Sequence, residues 1–187
     1  MKNYLKSFDI LTENEIRSFE DLVKPRTLKK GHFYIKEGKI SQEISFINSG
    51  ILRSFYHNSK EEETTYCFTF SNSFVTAYSS FLTQTKTLEN IQALTDTKLL
   101  SISRESILEL ERTSDNWLRL FKLISEQEYV KMEKRIFLLQ KESAEKRYED
   151  LLKNKSEYLQ HIPLLYLASY LGITQRHLSR IRKAISI

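Results

Sequence analysis

The stretch LLYLASYLGITQRHLSRIRK, residues 164–183, holds two short segments of helical apolar periodicity joined at a glycine. Ala168 is small enough to let two helices cross closely, and Gly172 tolerates the positive φ that a tight turn requires. Leu178 and Ile181 give the second segment one apolar side that can be buried. This spacing predicts two short helices that cross over a tight turn, a helix-turn-helix.

The second helix of this pair is expected to begin after Thr174, whose side chain is a natural N-cap. Its outward positions carry polar and basic side chains: Thr174, Gln175, Arg176, Ser179, Arg180 and Lys183. Gln pairs bidentately with adenine and Arg with guanine, whereas Thr, Ser and Lys can hold phosphates. These six residues are the predicted contacts with double-stranded DNA. The alternative is an ordinary helical hairpin with a solvated basic face.

The distribution of charge favours a polyanionic partner at this end of the chain. The whole sequence has a formal net charge of +5. From Tyr158 onward there is no Asp or Glu, and four basic residues fall there: Arg176, Arg180, Arg182 and Lys183. A polyanion such as DNA would therefore be met by the C-terminal region.

Composition narrows the class of protein. Hydrophobic residues make up 40% and aromatic residues 12% of the chain, which is enough for a folded core. Cys67 is the single cysteine, so neither an internal disulfide nor a multi-thiolate metal site is expected. The start, MKNYLKSFDI, lacks the apolar run of a signal peptide, and no stretch of about 20 apolar residues occurs. We expect a soluble cytoplasmic protein without a membrane partner.

The first hundred residues predict a short helix followed by antiparallel strands. Thr12 and Glu15 form a capping box, and Pro25 ends the helix that it starts. Short runs rich in Ile, Phe, Tyr and Thr then alternate with turn residues: HFYIKEG (32–38), EISFINSG (43–50), ILRSFYHN (51–58), ETTYCFTF (63–70), ENIQALT (89–95) and KLLSIS (98–103). Strands at this spacing predict an antiparallel barrel or sandwich.

Residues 104–154 lack Gly and Pro and predict long helices. Trp117, Leu120, Phe121 and Ile124 form one apolar stripe, and Tyr129, Met132, Ile136 and Leu139 resume it after the polar residues 125–128. One stripe can pack on the chain's own barrel while the other meets a second copy, so a homodimer is expected. Ser143 is placed to cap the next helix.

The chain as a whole resembles the Crp/Fnr family of bacterial transcription regulators. LKKGHFYIKEGK (28–39), ISFINSGILRSFY (44–56) and NIQALTDTKLLSISRESI (90–107) resemble the cyclic-nucleotide-binding β-roll of that family. KESAEKRYEDLL (141–152) and residues 162–183 resemble its DNA-binding domain. The variants ASYLGIT and LSRIRK are most similar to small regulators of the Bacteroidetes-type branch.

The resemblance implies an α+β protein of three parts. Residues 1–112 would form an antiparallel β-roll of the jelly-roll or double-stranded β-helix type with its leading helix, residues 113–140 a dimerisation helix, and residues 141–187 a helix-turn-helix domain. The dimer would place its recognition helices in successive major grooves about 34 Å apart. RNA polymerase and an unidentified small-molecule effector are further partners that such a regulator allows.

The effector pocket departs from the family pattern. Members that bind cyclic AMP carry a Gly-Glu pair and then Arg-Ser or Arg-Thr around the cyclic phosphate, where this sequence has Val75-Thr76 and Thr87-Leu88. Without the Arg, a buried phosphate loses its bidentate partner, and Lys86 offers only a point charge. We therefore expect no cyclic-AMP binding and no cofactor.

The C-terminus departs from the pattern as well. The family's usual β-hairpin wing follows the recognition helix, but only four residues follow Lys183 in this sequence. The domain is therefore expected to lack the wing and to contact DNA through its helices alone.

Two other classes of function were weighed. A cupin-like barrel that binds a small ligand or a metal, without a DNA-binding role, would need two or three His and a carboxylate on adjacent strands. Only His32 and His57 lie in the strand region, and they are isolated in sequence, so neither a metal site nor an enzyme is predicted. The other class is an interaction protein that kept the fold but lost DNA binding.

Overall fold

The computed structural model describes residues 1–185, which divide into two compact units. The first unit comprises Met1–Tyr56 and Phe68–Glu126, and the second comprises His57–Cys67 together with the chain from Gln127 onward. The first unit holds most of the strands and the second most of the C-terminal helices. The predicted boundaries at residues 112 and 140 remain a proposal.

Within the described residues, eight strands form two four-stranded sheets. They are β1 (Lys24–Leu28), β2 (Phe33–Ile35), β3 (Glu43–Ser49), β4 (Leu52–His57), β5 (Glu63–Thr69), β6 (Phe74–Val75), β7 (Asn90–Ala93) and β8 (Thr97–Ser103). The sheet orders are β1-β8-β3-β6 and β2-β7-β4-β5. Strand β8 pairs antiparallel with β1 and β3, β3 with β6, and β7 with β2 and β4. The predicted antiparallel β domain is confirmed, with β1 and β6 as additional strands.

The helices are α1 (Lys2–Lys6), α2 (Glu13–Leu22), α3 (Tyr78–Thr83), α4 (Arg104–Thr113), α5 (Asp115–Lys141), α6 (Ala144–Asn154), α7 (Ser156–His161), α8 (Leu164–Tyr170) and α9 (Gln175–Ile185). The capping box of Thr12 and Glu15 is formed as predicted. The helical region after the strands begins as two helices, because Ser114 has an extended backbone between α4 and α5. The long helix of the prediction is α5.

The inner faces of the two sheets form one core. Leu52, Ile91 and Ala93 from one sheet cluster with Ile47 and Leu99 from the other. Among the phenylalanines of the β domain, Phe46, Phe68 and Phe81 are buried, whereas Phe70 and Phe74 are half-buried. At the β3–β4 turn no side chain fits at Gly50, since a Cβ there would lie 2.7 Å from the Thr97 Cα.

A second core joins the leading helices to the start of α5. Leu5, Ile16 and Phe19 cluster with Trp117 and Leu120, and the rings of Phe19 and Trp117 stack with centroids 5.4 Å apart. Aromatic pairs of this kind add about 0.5–1.5 kcal/mol beyond the area that they bury. This cluster accounts for the first of the two predicted apolar stripes of α5.

Glu15 ties the capping box to the α4–α5 joint. Its carboxylate accepts hydrogen bonds from the Thr12 N–H at 2.7 Å, the Asn116 amide at 3.2 Å and the Ser114 hydroxyl. Partial burial raises the pKa of Glu15, but the hydrogen bonds from Ser114, Thr12 and Asn116 outweigh it and lower the pKa to about 2. The ionised carboxylate is therefore favoured in the folded state.

We expect Glu15→Gln to lower the free energy of unfolding at pH 7 by about 1–2 kcal/mol, allowing for solvent screening. The pKa of Glu15 is lower in the folded than in the unfolded chain, so its contribution is complete above the unfolded value and is lost as the pH falls towards 2. The difference between variant and wild type should therefore shrink between about pH 4.5 and pH 2 in urea titrations. Glu109→Gln, at an exposed position of α4, is the control, and a pH-independent difference would contradict the assignment.

Candidate nucleic-acid interface

The turn between α8 and α9 has the geometry that its sequence predicts. The Ile173 N–H donates to the Ala168 carbonyl and the Gly172 N–H to the Ser169 carbonyl, both at 3.0 Å. Gly172 has a φ of +69°, so the two bonds form a Schellman motif closed by a left-handed glycine. Ala168 is buried at the centre of this pair of helices. The backbone thus turns sharply from α8 into α9.

The first turn of α9 is capped as predicted. The Thr174 hydroxyl oxygen accepts from the His177 N–H at 3.2 Å. Leu178 and Ile181 are buried on the inner side of α9, and Leu167 and Leu171 are buried on the α8 side. Burying this apolar side fixes which side of α9 faces solvent.

The predicted DNA-contacting residues lie on or beside that solvent side. Five of the six are exposed: Thr174, Gln175, Arg176, Arg180 and Lys183. The sixth, Ser179, is half-buried, and its hydroxyl donates to the Gln175 carbonyl at 3.0 Å. Ser179 thus keeps acceptor capacity only, which makes it a poorer phosphate contact than its sequence position suggests.

Among the residues that the structure describes, the basic groups of this surface have no ion-pair partner. Within residues 1–185, no carboxylate lies within 4.0 Å of a side-chain nitrogen of Arg176, Arg180 or Lys183. A DNA ligand would therefore not have to break an existing salt bridge to reach these groups. Their hydrogen-bonding capacity is available to bases and phosphates.

One acidic residue beside this surface was not anticipated from the sequence. The His177 Nε2 lies 3.7 Å from a carboxylate oxygen of Glu145, which stands in the first turn of α6. Hydrogen bonds from the Glu145 backbone N–H and from Ser143, together with the proximity of His177, lower the pKa of Glu145. Glu145 and Arg180 both line a shallow groove along α9, so a negative charge borders the exposed basic side of this helix.

Two residues, Glu142 and Ser143, separate α5 from α6. Helix α5 ends at Lys141, and the Ser143 hydroxyl caps α6 by accepting from the Lys146 N–H at 3.3 Å. Arg147 donates to the carbonyls of Leu139 at 3.0 Å and Glu142 at 3.2 Å. These bonds satisfy carbonyls at the C-terminal end of α5 and hold α6 against it.

The second half of α5 exposes a wide apolar face. Tyr129, Met132 and Ile136, from the second predicted stripe, are 62%, 58% and 45% exposed. Val130 and Phe137 are 45% and 51% exposed and widen the face beyond the predicted stripe. Contiguous exposed apolar residues of this size mark an interaction surface rather than ordinary solvent contact.

The segment that would cradle a cyclic phosphate is hydrogen-bonded to Ser41. The hydroxyls of Ser41 and Thr76 lie 2.9 Å apart, and the Ser41 N–H donates to the Ser80 hydroxyl at 3.0 Å. Gln84 donates its amide to the carbonyls of Ser41 and Phe81 at 3.2 and 2.8 Å. These polar side chains already have partners within the protein.

The two residues in place of Arg-Ser face different environments. Thr87 is buried, its N–H donates to the Lys39 carbonyl at 2.7 Å, and its hydroxyl accepts from the Glu89 N–H at 3.1 Å. Leu88 is 80% exposed, and Lys86 is also exposed. The structure therefore brings no buried basic side chain to this position from residues 86–88, and the Thr87 hydroxyl already accepts one hydrogen bond.

Two further features bear on the other classes of function. Over the described part of the chain, no helix is both long enough and apolar enough to cross a membrane. Across the same 185 residues, His, Cys, Asp and Glu side chains nowhere gather in a group of three or more that could hold a metal ion.

Comparison with known proteins identifies the β domain. Residues 25–114, just under half of the chain, match the family model of the cyclic nucleotide-binding domain. A search of curated proteins found no match.

Solved structures that are similar to this chain include two that are described as regulators. FixK2 from Bradyrhizobium japonicum is 15% identical with a TM-score of 0.77, over 88% of this chain and 84% of its own. A protein from Eubacterium rectale assigned to the Crp/Fnr family of transcriptional regulators is 18% identical with a TM-score of 0.76, over 98% and 88%. The c-di-GMP-responsive global regulator CLP of Xanthomonas campestris is 16% identical with a TM-score of 0.74, over 94% and 92%. Residues 25–114 are therefore similar in sequence to cyclic nucleotide-binding domains, and the chain has the fold of these three structures.

Proposed function

We propose that this protein is a dimeric, sequence-specific DNA-binding transcription regulator of the Crp/Fnr type and not an enzyme. The observation that carries the proposal is the surface of α9: Gln175, Arg176 and Arg180 are exposed together on a helix whose opposite side is buried. The fold shared with regulator structures supports the same conclusion. The proposed organisation is a sensory β-roll in residues 1–112, a dimerisation helix in 113–140 and a DNA-binding domain in 141–187.

The proposed roles follow from the chemistry of each side chain. Arg176 and Arg180 would donate bidentately to guanine edges, and Gln175 would pair with adenine. Thr174 and Lys183 would hold phosphates, with Ser179 in a weaker role of the same kind. Phosphate contacts release counterions, so affinity should fall as salt rises.

Dimerisation is proposed along the exposed face of α5. Tyr129, Met132 and Ile136 recur at spacings of three and four residues, which is the pattern of a helix–helix seam. Two copies joined there would present two recognition helices, as required to read two half-sites one helical turn apart. RNA polymerase would be a further partner if the protein activates transcription.

The effector pocket is proposed to be degenerate. The hydrogen-bonded cluster of Ser41, Thr76, Ser80 and Gln84 supports this, because a phosphate would have to displace protein partners there without gaining an Arg. A different small effector remains compatible with the fold.

We expect titration calorimetry with cyclic AMP at millimolar concentration to give no binding heat. The physical reason is the missing guanidinium and the satisfied polar groups of the cradle. Thermal unfolding with and without the nucleotide is the control measurement, since a ligand that binds the folded state raises the melting temperature. Micromolar binding by either measurement would contradict the proposal.

The experiment for the overall function is a mobility shift with the DNA upstream of the protein's own gene. The full-length chain should retard that duplex at moderate salt in the presence of excess nonspecific competitor. A scrambled duplex of equal length should not be retarded once the competitor is present. Retardation that disappears with competitor, or equal retardation of both duplexes, would favour the interaction-protein alternative. Stoichiometric metal in the purified protein would instead revive the cupin-like alternative.

A further inference from the structure

His177 stands between two of the arginines proposed to read DNA and faces the neighbouring helix α6. It is the third residue of α9, directly after Arg176 and three positions before Arg180. Its side chain is half-buried, and its Nε2 lies 3.7 Å from the Glu145 carboxylate. Histidine is the side chain whose charge ordinarily changes between about pH 5 and 8, so the net charge of these two residues depends on the pH. We refer to His177 and Glu145 as the His–Glu pair.

Glu145 supplies the fixed negative charge of the His–Glu pair. Hydrogen bonds from its own backbone N–H and from Ser143, together with the nearby His177, lower the pKa of Glu145. The carboxylate is therefore ionised throughout the range in which a histidine titrates. The pair is thus negative when His177 is neutral and has no net charge when His177 is protonated.

The charged groups around His177 leave Glu145 as its only acidic neighbour among the described residues, since no other carboxylate lies within 4.0 Å of its ring nitrogens. On α6, Lys146 is paired with Glu149 at 3.2 Å, and Arg147 donates to carbonyls at the end of α5. Helix α8, which also packs on α9, holds no Asp, Glu, His, Lys or Arg, and tyrosine phenols carry no charge between about pH 6 and 8. The arginines beside His177 on α9 keep their charge at all of these pH values.

The His–Glu pair borders the side of α9 that is proposed to meet DNA. His177, Glu145 and Arg180 line the same shallow groove. Arg180 is exposed, and so is Arg176 one turn before it. Phosphates bound beside Arg180 would therefore be repelled by Glu145 and attracted by a protonated His177, because salt screens such charges largely only beyond about 8 Å at physiological ionic strength.

We propose that the His–Glu pair makes DNA binding by this protein proton-linked, with His177 acting as a further cation of the DNA-binding side of α9 once it is protonated. The inference rests on the proposed function. A bound polyanion favours the protonated form of His177, so the complex holds more protons than the free protein, and DNA affinity rises as the pH falls. Glu145 has two effects: its charge weakens binding while His177 is neutral, and it favours protonation of His177.

Fluorescence anisotropy with the duplex that the wild-type chain selects, at constant ionic strength between pH 6 and pH 8, tests this linkage. Wild-type affinity should be about fivefold higher at pH 6 than at pH 8. His177→Gln keeps the backbone N–H that donates to Thr174, and it should reduce this ratio to less than about twofold. His161→Gln, at an exposed position of α7 in the same unit, is the control and should keep the wild-type ratio.

Glu145→Gln tests the other member of the pair. Removing its charge should tighten binding about fivefold at pH 8, where histidine side chains are mostly neutral, and should move the midpoint of the pH dependence to lower pH. Glu149→Gln is the matched control, because it removes an exposed carboxylate one turn further along α6. This control should leave the midpoint unchanged and the affinity within about twofold of the wild type.

Three results would overturn the proposal. Equal wild-type affinity at pH 6 and pH 8 would show that binding takes up no proton. A pH dependence that persists in His177→Gln, or that His161→Gln removes, would place the titrating group elsewhere. Unchanged affinity of Glu145→Gln at pH 8 would mean that its charge does not act on bound DNA.

A separate measurement distinguishes failure of this inference from failure of the proposed function. A wild-type chain that binds no duplex at all defeats both. Titration of the His177 ring protons by NMR in the free protein then still reports whether the His–Glu pair forms, since Glu145→Gln should move that titration to lower pH and Glu149→Gln should not. An unmoved titration in Glu145→Gln would contradict the pair itself, whether or not DNA binds.

Discussion

The double variant Arg176→Ala/Arg180→Ala is expected to bind its specific duplex at least about 30-fold more weakly than the wild type. Each arginine reading a guanine edge contributes about 1–3 kcal/mol of discrimination, and 1.36 kcal/mol corresponds to a factor of ten. Both guanidinium groups are exposed, so their removal leaves the buried side of α9 intact. Base preference should be lost only at the positions that the two side chains contact. Fluorescence anisotropy with the specific duplex and single-base variants measures both effects.

Two controls separate base reading from general electrostatics. Arg119→Ala removes an exposed arginine from the first half of α5 and should leave DNA affinity within about twofold. Lys183→Ala should weaken binding to all duplexes alike and reduce the dependence on salt, as expected for a phosphate contact. Uniform weakening by the double variant as well would mean that Arg176 and Arg180 contact phosphates, which contradicts their proposed role.

The variant Ile136→Glu is expected to convert the dimer to a monomer and to lower affinity for a duplex with two half-sites by at least about 100-fold. Ile136 lies in the middle of the exposed apolar face between Met132 and Leu139, where a carboxylate from each copy would be desolvated beside the other. A monomer loses the effective concentration that links the two half-sites. Light scattering after size exclusion gives the mass, and anisotropy gives the affinity.

The matched control introduces the same charge on the other side of the helix. Gln127 lies nine residues before Ile136, which at 3.6 residues per turn is about 180° away. Gln127→Glu should leave both the dimer and DNA affinity unchanged. An Ile136→Glu protein that stays dimeric at micromolar concentration would place the dimer interface elsewhere.

The features that could be predicted from the sequence are those set by neighbours along the chain. The capping box of Thr12 and Glu15, the N-cap at Thr174 and the left-handed Gly172 each depend on residues within a few positions of one another. The antiparallel strands follow from alternation and turn residues in the same way. All the residues that form each of these features are neighbours in the sequence, so the features can be recognised from it.

The features that were missed depend on contacts between distant segments. The Thr65 N–H donates to the Ser169 hydroxyl, and His177 lies beside Glu145, pairs that no local pattern links. Pro25 was expected only to end α2, yet it also lies in β1, an edge strand, where a missing N–H is tolerated. Each of these features depends on contacts between residues that are more than thirty positions apart in the sequence.

The proposed departure of the effector pocket rests on residue identities compared with the family pattern, and the structure adds where those residues lie. The sequence shows that Thr87 and Leu88 stand where Arg-Ser is expected, but not that Thr87 is buried while Leu88 is exposed. Nor does it reveal that Gln84 donates to the carbonyls of both Ser41 and Phe81. Whether a polar side chain has a hydrogen-bond partner can be seen only in the folded chain. These hydrogen bonds therefore support the proposal of a degenerate pocket independently of the residue identities.

The most direct test of the central proposal is selection of duplexes by the full-length protein from a random DNA pool at moderate salt. The proposed reading surface predicts enrichment of a two-fold symmetric site whose half-sites lie about one helical turn apart. Guanine or adenine should be enriched at specific positions of each half-site, and the preferred base at those positions should change when Arg176, Arg180 or Gln175 is replaced. A pool that emerges without any enriched sequence, or binding that vanishes for every duplex even at low salt, would contradict the assignment of α9 as a DNA-reading helix.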